Sequence, residues 1–371
     1  MNMIAKEEEE EVVNVTEIDE PTQLRTLWVQ PGVREINISR LIYTYSGTGI
    51  LALLSNGVHL LWKWQRRESN ISGRVCDKAT AKAHPRLVQT ASALFMTNDL
   101  VGAKGGGDVM PCLALTNNDS YLMSACGGKV SLFNVLTFRT MVSFMAPPPA
   151  VTCIAYHHQD NNVIAVGMED STLKIYNVRM DEVKNKLIGH TKRITGLAFS
   201  GALNILVSSD AESQIIVWSC NGWKKQRSIF LHISGGTPAE MSDTVVQFHH
   251  DQKRFLAVNE TQLAIYDATR PESLKQWVVG ESSAPISCAT FSCDGQLVYS
   301  CFVDGTIRLF NGLNLELRCQ INSSAYIPPN ISAYLPPNVG SDAIYPITIA
   351  GTSQRTQPIC SGTNVWPCSH L

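Results

Sequence analysis

The amino-acid sequence predicts an all-β chain that folds as a β-propeller, on two observations. First, alternating apolar residues separated by frequent turn residues indicate strands, and the sequence holds no convincing amphipathic helix. Second, six short apolar segments each close on an aromatic anchor, at spacings of 71, 43, 42, 48 and 44 residues. Four of these spacings are close to the roughly 40–45 residues of a four-stranded propeller blade. The anchors are Trp62, Phe133, Tyr176, Trp218, Tyr266 and Phe310.

The elements follow in order along the chain. Residues 1–11, with Glu7 to Glu11 in a row, are expected to form an acidic disordered leader. Residues 12–350 are assigned to the propeller, and the long first spacing predicts a looped insertion at about residues 66–108. Residues 351–371 lack alternation and are predicted to be a divergent tail.

Six clear blades and an incomplete seventh are predicted. Residues 343–350 (AIYPITIA) are typical of the first strand of a seventh blade, but the tail after them does not predict the next two strands. Residues 12–18 (VVNVTEI) could supply an outer strand for that blade. An incomplete blade would expose strand edges that a closed ring protects.

Residues 189–219 form the blade nearest to the WD-repeat consensus. In such repeats a His, a Ser or Thr, a turn Asp and a Trp form a buried chain of hydrogen bonds that satisfies polar groups between strands. Here His190, Ser208 and Trp218 occupy three of these positions, and Glu212 occupies the turn position. The longer Glu side chain could carry its carboxylate past the imidazole ring.

Composition and charge exclude several function classes. The 30 basic and 32 acidic residues give a net charge of −2, which argues against a wholly basic nucleic-acid binder and against direct nucleic-acid contact. No apolar run reaches the roughly 18–20 residues of a membrane span. The eleven cysteines include no CxxC pair, so no metal site is expected. No cofactor is expected either.

Several motifs that suggest chemistry have simpler structural interpretations. His157-His158 and His249-His250 occupy the same repeat position and are interpreted as turns. The glycines at 105–107 lack the phosphate-loop order, and the basic residues at 192–193 and 224–227 are interpreted as solvated blade faces. A propeller enzyme or ligand carrier would need polar residues converging on the central channel, where the sequence places Ile154, Leu197 and Ile286. No catalytic constellation is found, so the chain is not expected to be an enzyme.

The chain resembles the C-terminal propeller of the Topless and Topless-related plant corepressors. The stretches that carry the resemblance include loops as well as strands, and together they extend over roughly residues 12–330. They are residues 40–64, 124–150, 157–200, 246–268 and 297–321.

The resemblance implies a nuclear protein-interaction scaffold that represses transcription by linking DNA-bound repressors to chromatin-modifying complexes. Its expected partners are corepressor or chromatin-modifying components and transcription factors. The family's N-terminal helical module, which oligomerises and binds repression motifs, has no counterpart in these residues. Two alternatives stay open: a truncated, nonfunctional or dominant-interfering corepressor fragment, and a generic WD40 adaptor outside transcription.

Overall fold

The computed structural model describes residues 38–64, 85–89, 95–98, 111–126, 129–145, 149–231, 242–270, 273–280, 283–292, 294–322, 347–349 and 365–367. Within these ranges the regular secondary structure consists of β-strands, and no helix there is long and apolar enough to cross a membrane. The predicted leader (residues 1–11) and the candidate outer strand at residues 12–18 lie outside the described residues.

Six antiparallel sheets follow one another along the chain, each built from consecutive strands. The first contains β1 (Ile38–Tyr43), β2 (Gly49–Leu54), β3 (Val58–Lys63), β4 (Arg86–Leu87) and β5 (Met96–Thr97). The second contains β6 (Cys112–Leu115), β7 (Tyr121–Cys126), β8 (Lys129–Asn134) and β9 (Thr140–Met145). The third contains β10 (Val151–Tyr156), β11 (Val163–Met168), β12 (Leu173–Asn177) and β13 (Glu182–Leu187).

The remaining three sheets repeat the same plan. The fourth contains β14 (Ile194–Ser200), β15 (Ile205–Asp210), β16 (Gln214–Ser219) and β17 (Lys225–Phe230). The fifth contains β18 (Val245–Phe248), β19 (Arg254–Asn259), β20 (Gln262–Asp267) and β21 (Ser273–Val278). The sixth contains β22 (Ile286–Phe291), β23 (Leu297–Phe302), β24 (Ile307–Asn311) and β25 (Leu317–Ile321). The predicted all-β propeller with six clear blades is confirmed.

The six aromatic anchors all lie in the third strand of their sheets, where five are buried and Tyr176 is half-buried. Each pairs with an apolar residue of the second strand, as Trp218 does with Leu206. In sheets two to six a β-bulge interrupts the pairing with the fourth strand immediately before the anchor. Because a bulge increases strand twist, its recurrence gives these blades the same local geometry.

The core consists of apolar layers between neighbouring sheets. Between the fourth and fifth sheets, for example, Val207 and Val217 pack with Phe255, whose ring stacks on Tyr266 at a centroid distance of 5.4 Å. Corresponding clusters join the other consecutive sheets from the first to the sixth. Blades two to five therefore bury both faces against their neighbours, as a stacked repeat requires.

The predicted insertion at residues 66–108 contributes to the first sheet. Its described parts include β4 and β5, which pair with β3 at Trp62–Leu87 and at His59–Met96. These two short segments take the place of one continuous outer strand. The interval is therefore not wholly a loop, because part of it satisfies the backbone hydrogen bonds of β3.

A two-stranded unit lies at the seventh blade position. It contains β26 (Ile347–Ile349), within the predicted strand at residues 343–350, and β27 (Val365–Pro367), with which it pairs. Strand β26 contacts β22 and β23 of the sixth sheet and β1 of the first. Strand β27 lies within residues 351–371, the predicted divergent tail, whose lack of alternation does not predict a strand there.

Candidate partner-docking surface

One end of the ring is formed by two kinds of connection: the turns between the second and third strands of each blade, and the segments that enter the next blade. In blades three, four and six, a backbone N–H of the turn donates to a carbonyl just before the first strand of the same blade. The three bonds are Glu169 N to Ala150 O (2.9 Å), Ala211 N to Arg193 O (3.1 Å) and Val303 N to Pro285 O (2.9 Å). These bonds fix the turns against the inner strands.

A charged depression of about 480 Å³ lies among these connections in blades three to five. We call it the top-face depression. Its volume is within the range of about 300–1,000 Å³ that is usual for ligand pockets. It is lined by Glu169, Lys192, Arg193, Ala211, Ser242, Asp243 and Glu260.

An ion pair crosses the depression between the segments that enter blades four and five. Arg193 Nη2 lies 2.8 Å from Asp243 Oδ1, and both side chains are 45% exposed. An exposed pair of this kind stabilises the fold by less than about 1 kcal/mol. In the described part of the chain, the side chains of Glu169, Lys192 and Glu260 have no hydrogen bond or ion pair. The depression thus presents both signs of charge to a partner.

A buried hydrogen-bond chain supports this face in blade four. Trp218 Nε1 donates to Ser208 Oγ (2.8 Å), which lies 2.6 Å from His190 Nε2. His190 Nδ1 lies 2.9 Å from Asp210 Oδ2, and the His190 and Asp210 side chains are inaccessible to solvent. The other Asp210 oxygen accepts the backbone N–H groups of Glu212 (3.0 Å) and Gln214 (2.9 Å). The network therefore ties the turn to the strand core.

Asp210, not Glu212, supplies the carboxylate of this network. Asp210 is the last residue of β15, so its short side chain reaches the imidazole from the end of the strand. Glu212 lies two residues further on, in the turn, where it is exposed and accepts a hydrogen bond from Thr191 Oγ1 (2.8 Å). The fixed offset of six residues before Trp218 misidentified the acid. Counting from the end of the second strand would have found it.

The same turn in other blades is closed by an Asx side chain. Asp170 and Asp304 lie six residues before their anchors, and each accepts the N–H and hydroxyl of a Thr two residues later. In blade five this role belongs to Asn259, which accepts from Thr261 and from the N–H of Gln262. Glu260 is therefore not needed to close its turn, and it lines the depression.

The two His-His pairs lie in turns between first and second strands, at the opposite end of the ring. His157 packs edge-on against Phe199 at 5.1 Å, and His249 packs in the same way against Phe291 at 5.0 Å, in each case on the next blade. Burial lowers the pKa of both rings. Their contacts are those of inter-blade packing. The described residues include no group of three or more metal-ligating side chains.

The central channel is lined by first strands. Ile154 and Leu197 line a small cavity there, together with Arg40, Cys112 and Cys153, although Ile154 also belongs to the core between blades two and three. The third predicted residue, Ile286, is buried instead in the core between blades five and six. Burial raises the pKa of the Cys153 thiol to about 12 and also raises the pKa of the Cys112 thiol, so both are poor nucleophiles at neutral pH.

Comparison with known proteins agrees with this architecture. The family model described as "WD domain, G-beta repeat" matches residues 140–177, 181–219 and 273–311. The chain is 53% identical over 352 residues to Topless-related protein 1 and 54% identical over 349 residues to Protein TOPLESS, both of Arabidopsis thaliana. These alignments cover 95% and 94% of the chain. The predicted resemblance to the Topless proteins is confirmed.

A rice relative shows the same similarity. Protein TPR3 of Oryza sativa subsp. japonica is 52% identical over 95% of the chain. The chain spans 30% of the length of each of these three relatives. The WD-repeat propeller and this similarity together support a protein-interaction scaffold.

Proposed function

We propose that this chain acts as a non-enzymatic docking module of a Topless-like transcriptional corepressor. In this role it works in the nucleus and helps to link DNA-bound repressors to chromatin-modifying complexes. This proposal is supported by the similarity to Topless proteins along almost the whole chain and by the ring of stacked blades, whose connecting turns form a continuous surface at each end.

The observation that carries the proposal is the top-face depression. Its turns are fixed by backbone hydrogen bonds, so little conformational entropy is lost when a partner binds. The Arg193–Asp243 ion pair is weak because both side chains are exposed, so either side chain can pair with a partner's charged group instead. A partner segment with both kinds of charge would pair its basic side chains with Glu169 and Glu260 and its acidic side chains with Lys192. Charges at such a rim mainly set specificity and the rate of association.

Affinity capture from plant nuclear extract tests the proposal. The immobilised wild-type chain is compared with Glu169→Gln/Glu260→Gln, which removes two charges from the depression. The matched control is Glu182→Gln/Glu316→Gln, since both of these residues are exposed at other places on the ring. We expect the wild type and the control to retain the same corepressor or chromatin-modifying components, and the depression variant to lose them.

Two results would contradict this. If a well-folded wild-type chain retains no such component, the scaffold role in transcription is wrong. If the depression variant retains the same partners as the wild type, the docking surface lies elsewhere on the ring. Circular dichroism and thermal unfolding of each variant establish that the comparison is between folded chains.

A further inference from the structure

Four exposed cations gather on the outer side of the ring where blades four and five meet: Lys224, Arg227, Lys253 and Arg270. We call this set the basic corner. Lys224 immediately precedes β17, which carries Arg227, whereas Lys253 and Arg270 belong to two turns of blade five. These turns lie at the end of the ring opposite to the top-face depression.

Hydrogen bonds connect the segments that carry Arg227, Lys253 and Arg270. Arg227 Nη1 donates to the carbonyl of Thr269 (2.9 Å), the residue before Arg270. Ala268 N donates to the carbonyl of Lys253 (2.8 Å), so the two turns of blade five lie side by side. The cluster therefore spans two blades and three separate segments of the chain.

The nearby described carboxylates are occupied by their own turns. Asp251 pairs with Arg254 Nε (2.7 Å) and accepts the backbone N–H groups of Lys253 and Arg254. Despite partial burial, which opposes ionisation, these hydrogen bonds lower its pKa. Asp267 accepts the N–H and hydroxyl of Thr269 and the N–H of Arg270. Burial opposes ionisation of Asp267, but these hydrogen bonds and the positive charge of Arg270 lower its pKa, so Asp267 partly compensates Arg270. Neither carboxylate forms a hydrogen bond or ion pair with the side chain of Lys224, Arg227 or Lys253.

One exposed apolar side chain follows the cations closely in sequence: Leu274 on β21, four residues after Arg270, is 45% exposed. Ile229 on β17, two residues after Arg227, packs instead against the core between blades four and five. Both strands are the outer strands of their blades. The phosphate groups of a nucleic acid would contact only the basic side chains. A peptide with acidic and apolar side chains would contact both the basic and the apolar side chains of this surface.

We propose that the basic corner binds an acidic segment of a partner protein that also carries apolar side chains. The carboxylates would pair with Arg227, Arg270 and the two lysines, and the apolar side chains would cover Leu274. The chain's net charge of −2 favours this partner over nucleic acid, since the positive field is local. This surface is separate from the top-face depression and does not depend on the function proposed for it.

Fluorescence anisotropy with the purified full chain tests the proposal. The probe is a labelled 12-residue peptide of Glu-Asp-Leu repeats, compared with its Gln-Asn-Leu counterpart and with a labelled 20-base-pair DNA duplex. The variants are Arg227→Gln/Arg270→Gln and, to preserve the Arg227–Thr269 contact, Lys224→Glu/Lys253→Glu. Lys184→Gln/Lys186→Gln, on the exposed strand β13, is the matched control.

We expect the acidic peptide to bind the wild type and the control equally, and to bind both test variants at least about fivefold more weakly. Raising the salt from about 50 to 300 mM should weaken wild-type binding, because the contacts are exposed ion pairs. Equal binding of the peptide to the wild type and both variants would overturn the proposal. So would equal binding of the uncharged peptide, or tighter binding of the duplex that the same variants abolish.

Discussion

His190 Nδ1 lies 2.9 Å from Asp210 Oδ2 in the interior of blade four, and neither side chain is accessible to solvent. The carboxylate thus bridges the imidazole ring and the N–H groups of the turn at Glu212 and Gln214. We predict that Asp210→Ala lowers the free energy of unfolding by about 3 kcal/mol, because it leaves several buried donors without an acceptor. Chemical denaturation measures this change.

Glu212→Ala provides the control for that prediction, since Glu212 is exposed and its side chain accepts only from Thr191. Its effect should stay within about 0.5 kcal/mol. A loss of stability for Glu212→Ala as large as that for Asp210→Ala would mean that the acid of the network is wrongly assigned.

The stability of blade one should depend on pH through His59. Burial lowers the pKa of His59 to about 4 from 6.5, although the hydrogen bond to the Met96 carbonyl (2.8 Å) favours the charged ring. The fold therefore favours the neutral ring: the stability from this group is fully present above pH 6.5 and is lost as the pH falls towards 4. The full loss is about 3 kcal/mol.

Thermal unfolding between pH 7 and pH 4 tests this effect in the wild type and in His59→Phe. Other histidines with lowered pKa values, such as His157 and His249, contribute to both curves. The wild type should therefore lose more stability on acidification than the variant. Parallel curves would show that His59 does not titrate in this range.

Gly295 permits the close approach of two blades. Its φ of +73° is in the left-handed region, and a Cβ there would overlap the His249 ring. We predict that Gly295→Ala destabilises the chain by about 2 kcal/mol more than Gly222→Ala. Gly222 has a similar φ of +79° with no atom within 4 Å of the added Cβ, so it isolates the backbone cost. Equal effects in denaturation experiments would exclude a steric role for His249.

The Arg193–Asp243 pair should contribute little to folding. A double-mutant cycle with Arg193→Ala and Asp243→Ala is predicted to give a coupling energy below about 1 kcal/mol, since both groups are 45% exposed. The coupling should shrink further in high salt. A coupling of several kcal/mol would indicate a rigid structural bridge rather than a pair available for exchange with a partner.

Sequence reasoning succeeded where the repeat imposes one environment on equivalent positions. The aromatic anchors could be found because each blade pairs the same point of its third strand with an apolar residue of the second strand, where five of the six anchors are buried. The fixed offset misses the acid of the hydrogen-bond chain because the Asx residue does not lie at the same point in every blade. Asp210 and Asn259 are the last residues of their second strands, eight and seven residues before their anchors, whereas Asp304 lies in the turn itself, six residues before its anchor.

Long-range pairing explains the other misses. Strands β4 and β5 are two residues each, too short to show alternation, and they form only because β3 offers an unpaired edge. The residues that line the top-face depression lie far apart in the sequence, between positions 169 and 260, so no local sequence motif predicts it. The basic run at residues 224–227 can be recognised in the sequence. Only the structure shows that this run lies close to the turns that carry Lys253 and Arg270.

The most direct test of the central claim is transcription from a reporter to which the chain is tethered through a heterologous DNA-binding domain. Plant cells expressing the fused wild-type chain should show reduced reporter activity. Reporter activity should return to the unrepressed level with the Glu169→Gln/Glu260→Gln variant. The Glu182→Gln/Glu316→Gln variant should reduce reporter activity as much as the wild type does. Unchanged reporter activity with a folded, nuclear wild-type fusion would contradict the account.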